Sequence, residues 1–179
     1  HVVLVEMVID PMCSVAFEGQ PGEPDLMRQP PRPLSEPLVG GAQLALASGL
    51  GVVLLAACLG VFLLAQAEGR PGDVARTLAM LALTVGNLAL VASLSRRRGA
   101  WTRRGGRAYA VIAGLSLVVI GACVGVPALR DLFDFGLPSV AEALRAAAIG
   151  LAGGLVLELA KPLAAVQRVL GRHAPPVRG

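Results

Sequence analysis

From Leu38 to Ala67 the chain carries no charged side chain, and Thr77–Ser95 and Ala108–Leu129 share that property. A helix rises about 1.5 Å per residue, so roughly 20 apolar residues cross the ~30 Å hydrocarbon layer of a bilayer. Each of these stretches meets or approaches that length. An amphipathic surface helix of a water-soluble domain would show a charged face at every turn, and these show none. Within lipid the backbone must satisfy its own hydrogen bonds, and long uncharged runs of this kind do so as helices. The fold class predicted is all-α: an integral membrane helical bundle.

Around those runs the sequence supplies two further spans and the connections between them. His1–Phe17 is apolar apart from Glu6 and Asp10. Ser139–Ala160 is apolar apart from Glu142, Arg145 and Glu158. Together they predict five transmembrane helices over about 1–17, 39–66, 74–95, 107–128 and 139–160. Residues 18–38 are too rich in proline for a helix and read as an extended loop. Residues 96–106 form a short basic loop, and 162–179 a basic, proline-containing tail after a membrane domain covering 1–161. Glu142 and Arg145, one helical turn apart, are expected to pair with each other. Phe133 and Phe135 are expected to rest at a membrane interface. Gly121/Gly125 and Gly150/Gly154 have the spacing of close helix packing.

Orientation follows from the arginines. Six lie between residues 96 and 107, and the 18–37 loop and the C-terminal tail are also basic, whereas the intervening connections hold only Arg70, Arg76 and Arg130. Basic loops stay in the cytoplasm. The N-terminus is therefore expected outside and the C-terminus in the cytoplasm of a multi-pass plasma (inner) membrane protein. The net charge of +4 does not point to nucleic acid, because the basic residues sit beside spans and aromatics make up only 3% of the chain, too few for a stacking platform. Cys13, Cys58 and Cys123 all fall in apolar runs without a CxxC neighbour and read as buried thiols. The chain opens at His1 with no polar leader, which predicts a piece of a longer protein and not a signal peptide.

The chemistry concentrates at Glu6 and Asp10. They are four residues apart and share one helix face inside an apolar segment. Ionised carboxylates at that depth are costly and mark ion or proton routes. Two on one face can ligate a hard cation through oxygen or share a proton. Pro11 follows directly, removes a backbone N–H and frees a carbonyl of the preceding turn, as in the interrupted helices of transporters. Asn87, in mid-span, is a further candidate cation ligand, its alternative being a bridge between helices. Glu158 and Lys161 are spaced to pair. No P-loop, HExxH or GxSxG motif occurs, and neither His1 nor His173 has a ligand partner at metal-binding spacing.

The residues Val5-Glu-Met-Val-Ile-Asp-Pro-Met-Cys-Ser-Val-Ala-Phe-Glu18, followed by Glu23-Pro-Asp-Leu-Met-Arg-Gln-Pro-Pro-Arg32 and Glu36-Pro-Leu38, resemble the sixth transmembrane helix and following loop of P-type cation-transporting ATPases, of the calcium-pump-like type II in a bacterial branch. Ala75-Arg-Thr-Leu78 resembles the start of the eighth helix, and Glu158-Leu-Ala-Lys161 the end of the tenth. The resemblance runs over about 1–161 and implies the membrane part of an ATP-driven pump, with Glu6 and Asp10 at the ligand positions of the sixth helix. The family pattern in calcium pumps has an amide at the first position and a hydroxyl just before the second, where this chain has Glu6 and Ile9. It further implies that Mg2+ and ATP serve the parent pump and not this piece, which lacks the DKTG phosphorylation motif. The implied partners are the lipid bilayer, the remaining helices and cytoplasmic domains of the parent, and a transported cation, Ca2+ among the candidates. Two alternatives remain from the residues alone: a stand-alone non-enzymatic membrane subunit, and a fragment of a proton-coupled secondary transporter.

Overall fold

A computed structural model describes residues 41–97 and 103–160, whose regular elements are all helices, with no strand among them. The helices are α1 (Gly41–Ala67), α2 (Gly72–Arg97), α3 (Arg103–Gly125), the short α4 (Pro127–Leu132) and α5 (Val140–Ala160). The expected spans beginning near 39, 74, 107 and 139 correspond in place to α1, α2, α3 and α5; the segment expected over 1–17 lies outside the described residues.

Local chemistry sets the ends. α1 stops because Gly69 adopts a left-handed φ of 74°, which glycine reaches without a Cβ penalty. The Arg70 N–H then donates to the Ala65 carbonyl at 3.0 Å and the Gly69 N–H to that of Gln66 at 2.9 Å. This pairing satisfies carbonyls that the last helical turn would otherwise leave open. Pro71 follows and cannot continue the helix. The helix expected over 107–128 is divided instead: Pro127 occupies the first turn of α4, and Val126 before it is extended (φ −88°, ψ 116°). A residue preceding proline is pushed out of the helical region by the ring. α4 ends in a second left-handed residue, Asp134 (φ 50°), with the Phe135 N–H donating to the Arg130 carbonyl at 2.9 Å.

Two helices among the described residues are long and apolar enough to cross a membrane, Leu44–Ala67 and Gly72–Ser93, and Tyr109–Gly125 is a shorter apolar helix. They differ in surroundings: 61% of the most apolar stretch of α2 is buried, against 11% of that of α1. α2 is thus the central helix, packed most extensively on α5 and next on α1. Val61 and Ala65 of α1, Ala75, Leu78 and Ala82 of α2, and Ala146 of α5 form one core. A second core joins Met80 of α2, Cys123 of α3 and Phe135. Phe135 is thus buried within the protein, with Phe133 tilted against it at a ring separation of 6.0 Å. On the outside, Val52, Leu55, Leu59 and Leu63 of α1 and Val111, Leu115 and Val118 of α3 are exposed. Such continuous apolar faces suit contact with lipid and would be a liability in water.

Candidate intramembrane site and its scaffold

Glu6 and Asp10 lie outside the described residues, as do Lys161 and the side chain of Glu158. Asn87, the third predicted site residue, sits on α2 and is half-buried. Its neighbour Gly86 marks the closest approach of α2 to α5. A Cβ on Gly86 would come within 2.9 Å of the Gly150 carbonyl oxygen. A Cβ on Gly150 would stand 2.8 Å from the Cα of Ala82, and one on Gly154 2.7 Å from the Cβ of Ala89. Real side chains do not tolerate such separations, so the two backbones meet only because these positions are glycine. Gly150 and Gly154 thus pack as their spacing predicts. At Gly121 and Gly125 no atom of the described residues lies within 4 Å of a Cβ.

One turn before Asn87, Thr84 is only 2% exposed, and its Oγ1 has no hydrogen-bond partner among the described residues. The other buried hydroxyls among the described residues have partners. Ser116 donates to the Ile112 carbonyl at 2.9 Å. Thr77 Oγ1 lies 2.9 Å from the Asp73 carbonyl and 3.0 Å from that of Gly136, and accepts the Gly136 N–H at 3.0 Å. Tyr109 crosses from α3 to donate its hydroxyl to the Leu88 carbonyl of α2 at 2.8 Å. The Cys58 thiol, free and half-buried, donates to the Ala79 carbonyl at 3.4 Å.

The end of the bundle formed by residues 68–76 and 133–145 is tied by charge. Arg145 donates to both oxygens of Glu68, Nη1 to Oε1 at 2.7 Å and Nη2 to Oε2 at 2.6 Å. Arg70 Nε stands 2.5 Å from Glu142 Oε1, an ion-pair contact without hydrogen-bond alignment. Arg76 pairs with the Asp134 carboxylate and donates Nη2 to the Asp134 carbonyl at 3.3 Å. The expected pairing of Glu142 with Arg145 is therefore replaced. Each reaches instead across to the α1–α2 connection, because the close contact of α2 with α5 brings that connection within reach of the start of α5. Glu142 also caps its own helix. Its Oε2 accepts the Ser139 N–H at 2.8 Å and the Ser139 hydroxyl at 2.7 Å. The Glu142 N–H donates back to Ser139 Oγ at 3.3 Å, closing a capping box at the start of α5. The Ser-x-x-Glu spacing that signals it stands in the sequence at 139–142. The hydrogen bond from Arg145, ahead of its charge, holds the Glu68 carboxyl below its ordinary value.

Among the described residues no group of three or more His, Cys, Asp or Glu side chains could hold a metal ion. A family model described as "Cation transporting ATPase, C-terminus" matches residues 1–163. The chain belongs to that family. No curated protein matches it. As a cation-transporting ATPase C-terminal region, the chain is part of the membrane portion of a larger ATPase.

Proposed function

We propose that the chain forms the C-terminal half of the ion path of an ATP-driven P-type pump, of the calcium-pump-like type II in a bacterial branch, with five spans in the plasma (inner) membrane, an external N-terminus and a cytoplasmic C-terminus. Glu6 and Asp10 take the transported cation near mid-membrane, and Asn87 contributes its amide oxygen from α2. Pro11 opens the helix beside Asp10 and leaves a carbonyl to face the ion. The observation that carries this reading is the family match across residues 1–163, which includes both acids and Asn87 in one membrane region. Mg2+ and ATP act in the parent protein, whose phosphorylated aspartate couples hydrolysis to alternating exposure of the site.

Asp10→Asn in the full-length protein tests the reading. The substitution keeps size and removes the charge, so the cation concentration needed for half-maximal phosphorylation from ATP should rise at least tenfold, a loss of about 1.4 kcal/mol or more in binding. An unchanged cation dependence would remove Asp10 from the path.

A further inference from the structure

Among the described residues α4 is a helix without a core. None of its six residues is buried, and it packs extensively on no helix but α3, to which it is joined. A helix that short does not hold itself in water, because most helical stability comes from packing an amphipathic face. The sides of α4 do differ. Ala128, Leu129 and Leu132 are spaced to share one side, and Arg130 and Asp131 fall on the other. Leu132 is 72% exposed, and Val126, just before the helix, is exposed as well.

The two neighbouring helices indicate what covers that apolar side. The apolar stretch of α3 is Tyr109–Gly125. Its seventeen residues rise about 26 Å, short of the ~30 Å hydrocarbon layer. Arg107 closes one end of that stretch, whereas Val126–Leu129 continues the other without charge. The missing rise therefore falls at α4. On α5, Val140, Leu144, Leu151 and Leu155 are exposed along one helical stripe. That stripe begins at the first residue of the helix, and Val140 is 77% exposed. The buried Glu142 lies on the opposite side.

We propose that α4 lies in the headgroup region of the leaflet it meets, with the lipid surface as its partner. Ala128 and Leu132 face the acyl boundary together with Val126, Val140 and Leu144, and Asp131 faces water. An amphipathic helix at an interface sinks its apolar side to the acyl boundary and keeps its charges in water. Behind α4 the chain is fastened to α2: the Gly136 N–H donates to Thr77 Oγ1 at 3.0 Å, and Asp134 pairs with Arg76. This fastening holds α4 at one level relative to α2. The inference goes beyond the pump reading and uses none of its cation ligands.

Nitroxide labels at Leu132→Cys, Val140→Cys and Asp131→Cys read the placement, each as the single thiol of the full-length protein in phosphatidylcholine vesicles. Oxygen concentrates in hydrocarbon and a nickel chelate in water, so the ratio of their relaxation effects reports depth. That ratio should be several-fold higher at Leu132 and Val140 than at Asp131. A ratio at Leu132 as low as at Asp131 puts α4 in water and overturns the proposal. Exclusion of both reagents at Leu132 means that a protein segment covers α4, which overturns it too. If Leu132→Cys does not accumulate, Ala128→Cys, exposed on the same side, takes its place with the same outcomes. A lack of cation-dependent phosphorylation in the same vesicles would sink the pump reading and leave this placement standing.

Discussion

Arg145 and Glu68 form a bidentate pair, with both guanidinium nitrogens within 2.7 Å of a carboxylate oxygen, across 77 residues of sequence. Beside them Arg70 meets Glu142, so two ion pairs run in opposite senses between the same two pieces of chain, the α1–α2 connection and the start of α5. The crossed arrangement fixes rotation of α5 about its axis better than either pair alone. Arg–carboxylate forks are also the pairs with the most demanding geometry.

The pair sets an acid limit. Glu68 has its carboxyl pKa lowered in the folded protein, mainly by the hydrogen bond from Arg145. The unfolded chain therefore binds the proton more tightly. The stabilisation is fully present above the ordinary carboxylate value, about 4.3, and is lost as pH falls through the lowered one. Wild-type Tm should decline over that range more steeply than in Glu68→Gln, and the two curves should converge at the acid end. Parallel curves would show that Glu68 titrates alike in the folded and unfolded chains.

The glycine contact between α2 and α5 gives a sharper contrast. Gly154→Ala places a methyl where Ala89 and the Gly86 backbone already stand, and overpacking of this kind costs about 1–3 kcal/mol. Gly121→Ala, with no described residue near its Cβ, should be neutral or gain up to about 1 kcal/mol from reduced backbone freedom in the unfolded chain. Unfolding of the purified protein in mixed detergent ranks the two, and equal stability of both variants would mean that the helices do not meet this closely.

How much of this stands in the sequence depends on separation along the chain. The uncharged runs announce their helices, because desolvation of charge is a local property of the segment. The break after Gly125 and the cap of α5 have local signals, Pro127 and Ser139 with Glu142, which act within one turn although the expected helix over 107–128 ran through the first. The partner of Glu142 is not legible: Arg145 is nearer in sequence, but α2–α5 packing decides that Arg70 is nearer in space. Phe135 escapes a local reading for the same reason, as its burial depends on Met80 and Cys123 from two other helices. Of the site, Asn87 can be singled out by its amide within an uncharged run. That the Thr84 hydroxyl has no partner among the described residues is not legible, because a threonine there is expected to satisfy itself on its own helix.

Orientation can be read with two engineered thiols. Leu137, exposed in the connection before α5, belongs to the side expected outside, and Ala100 to the arginine-rich loop expected in the cytoplasm. With Cys13, Cys58 and Cys123 replaced by serine or alanine, Leu137→Cys should react with a membrane-impermeant maleimide in intact cells, and Ala100→Cys only after the membrane is opened. The physical basis is the cost of moving six arginines from residues 96–107 across a bilayer against the potential. The crossed ion pairs between residues 68–70 and 142–145 require only that both connections face the same compartment, and so hold in either orientation. Labelling of Ala100→Cys in intact cells would invert the whole domain, and with it the side from which Glu6 and Asp10 are filled.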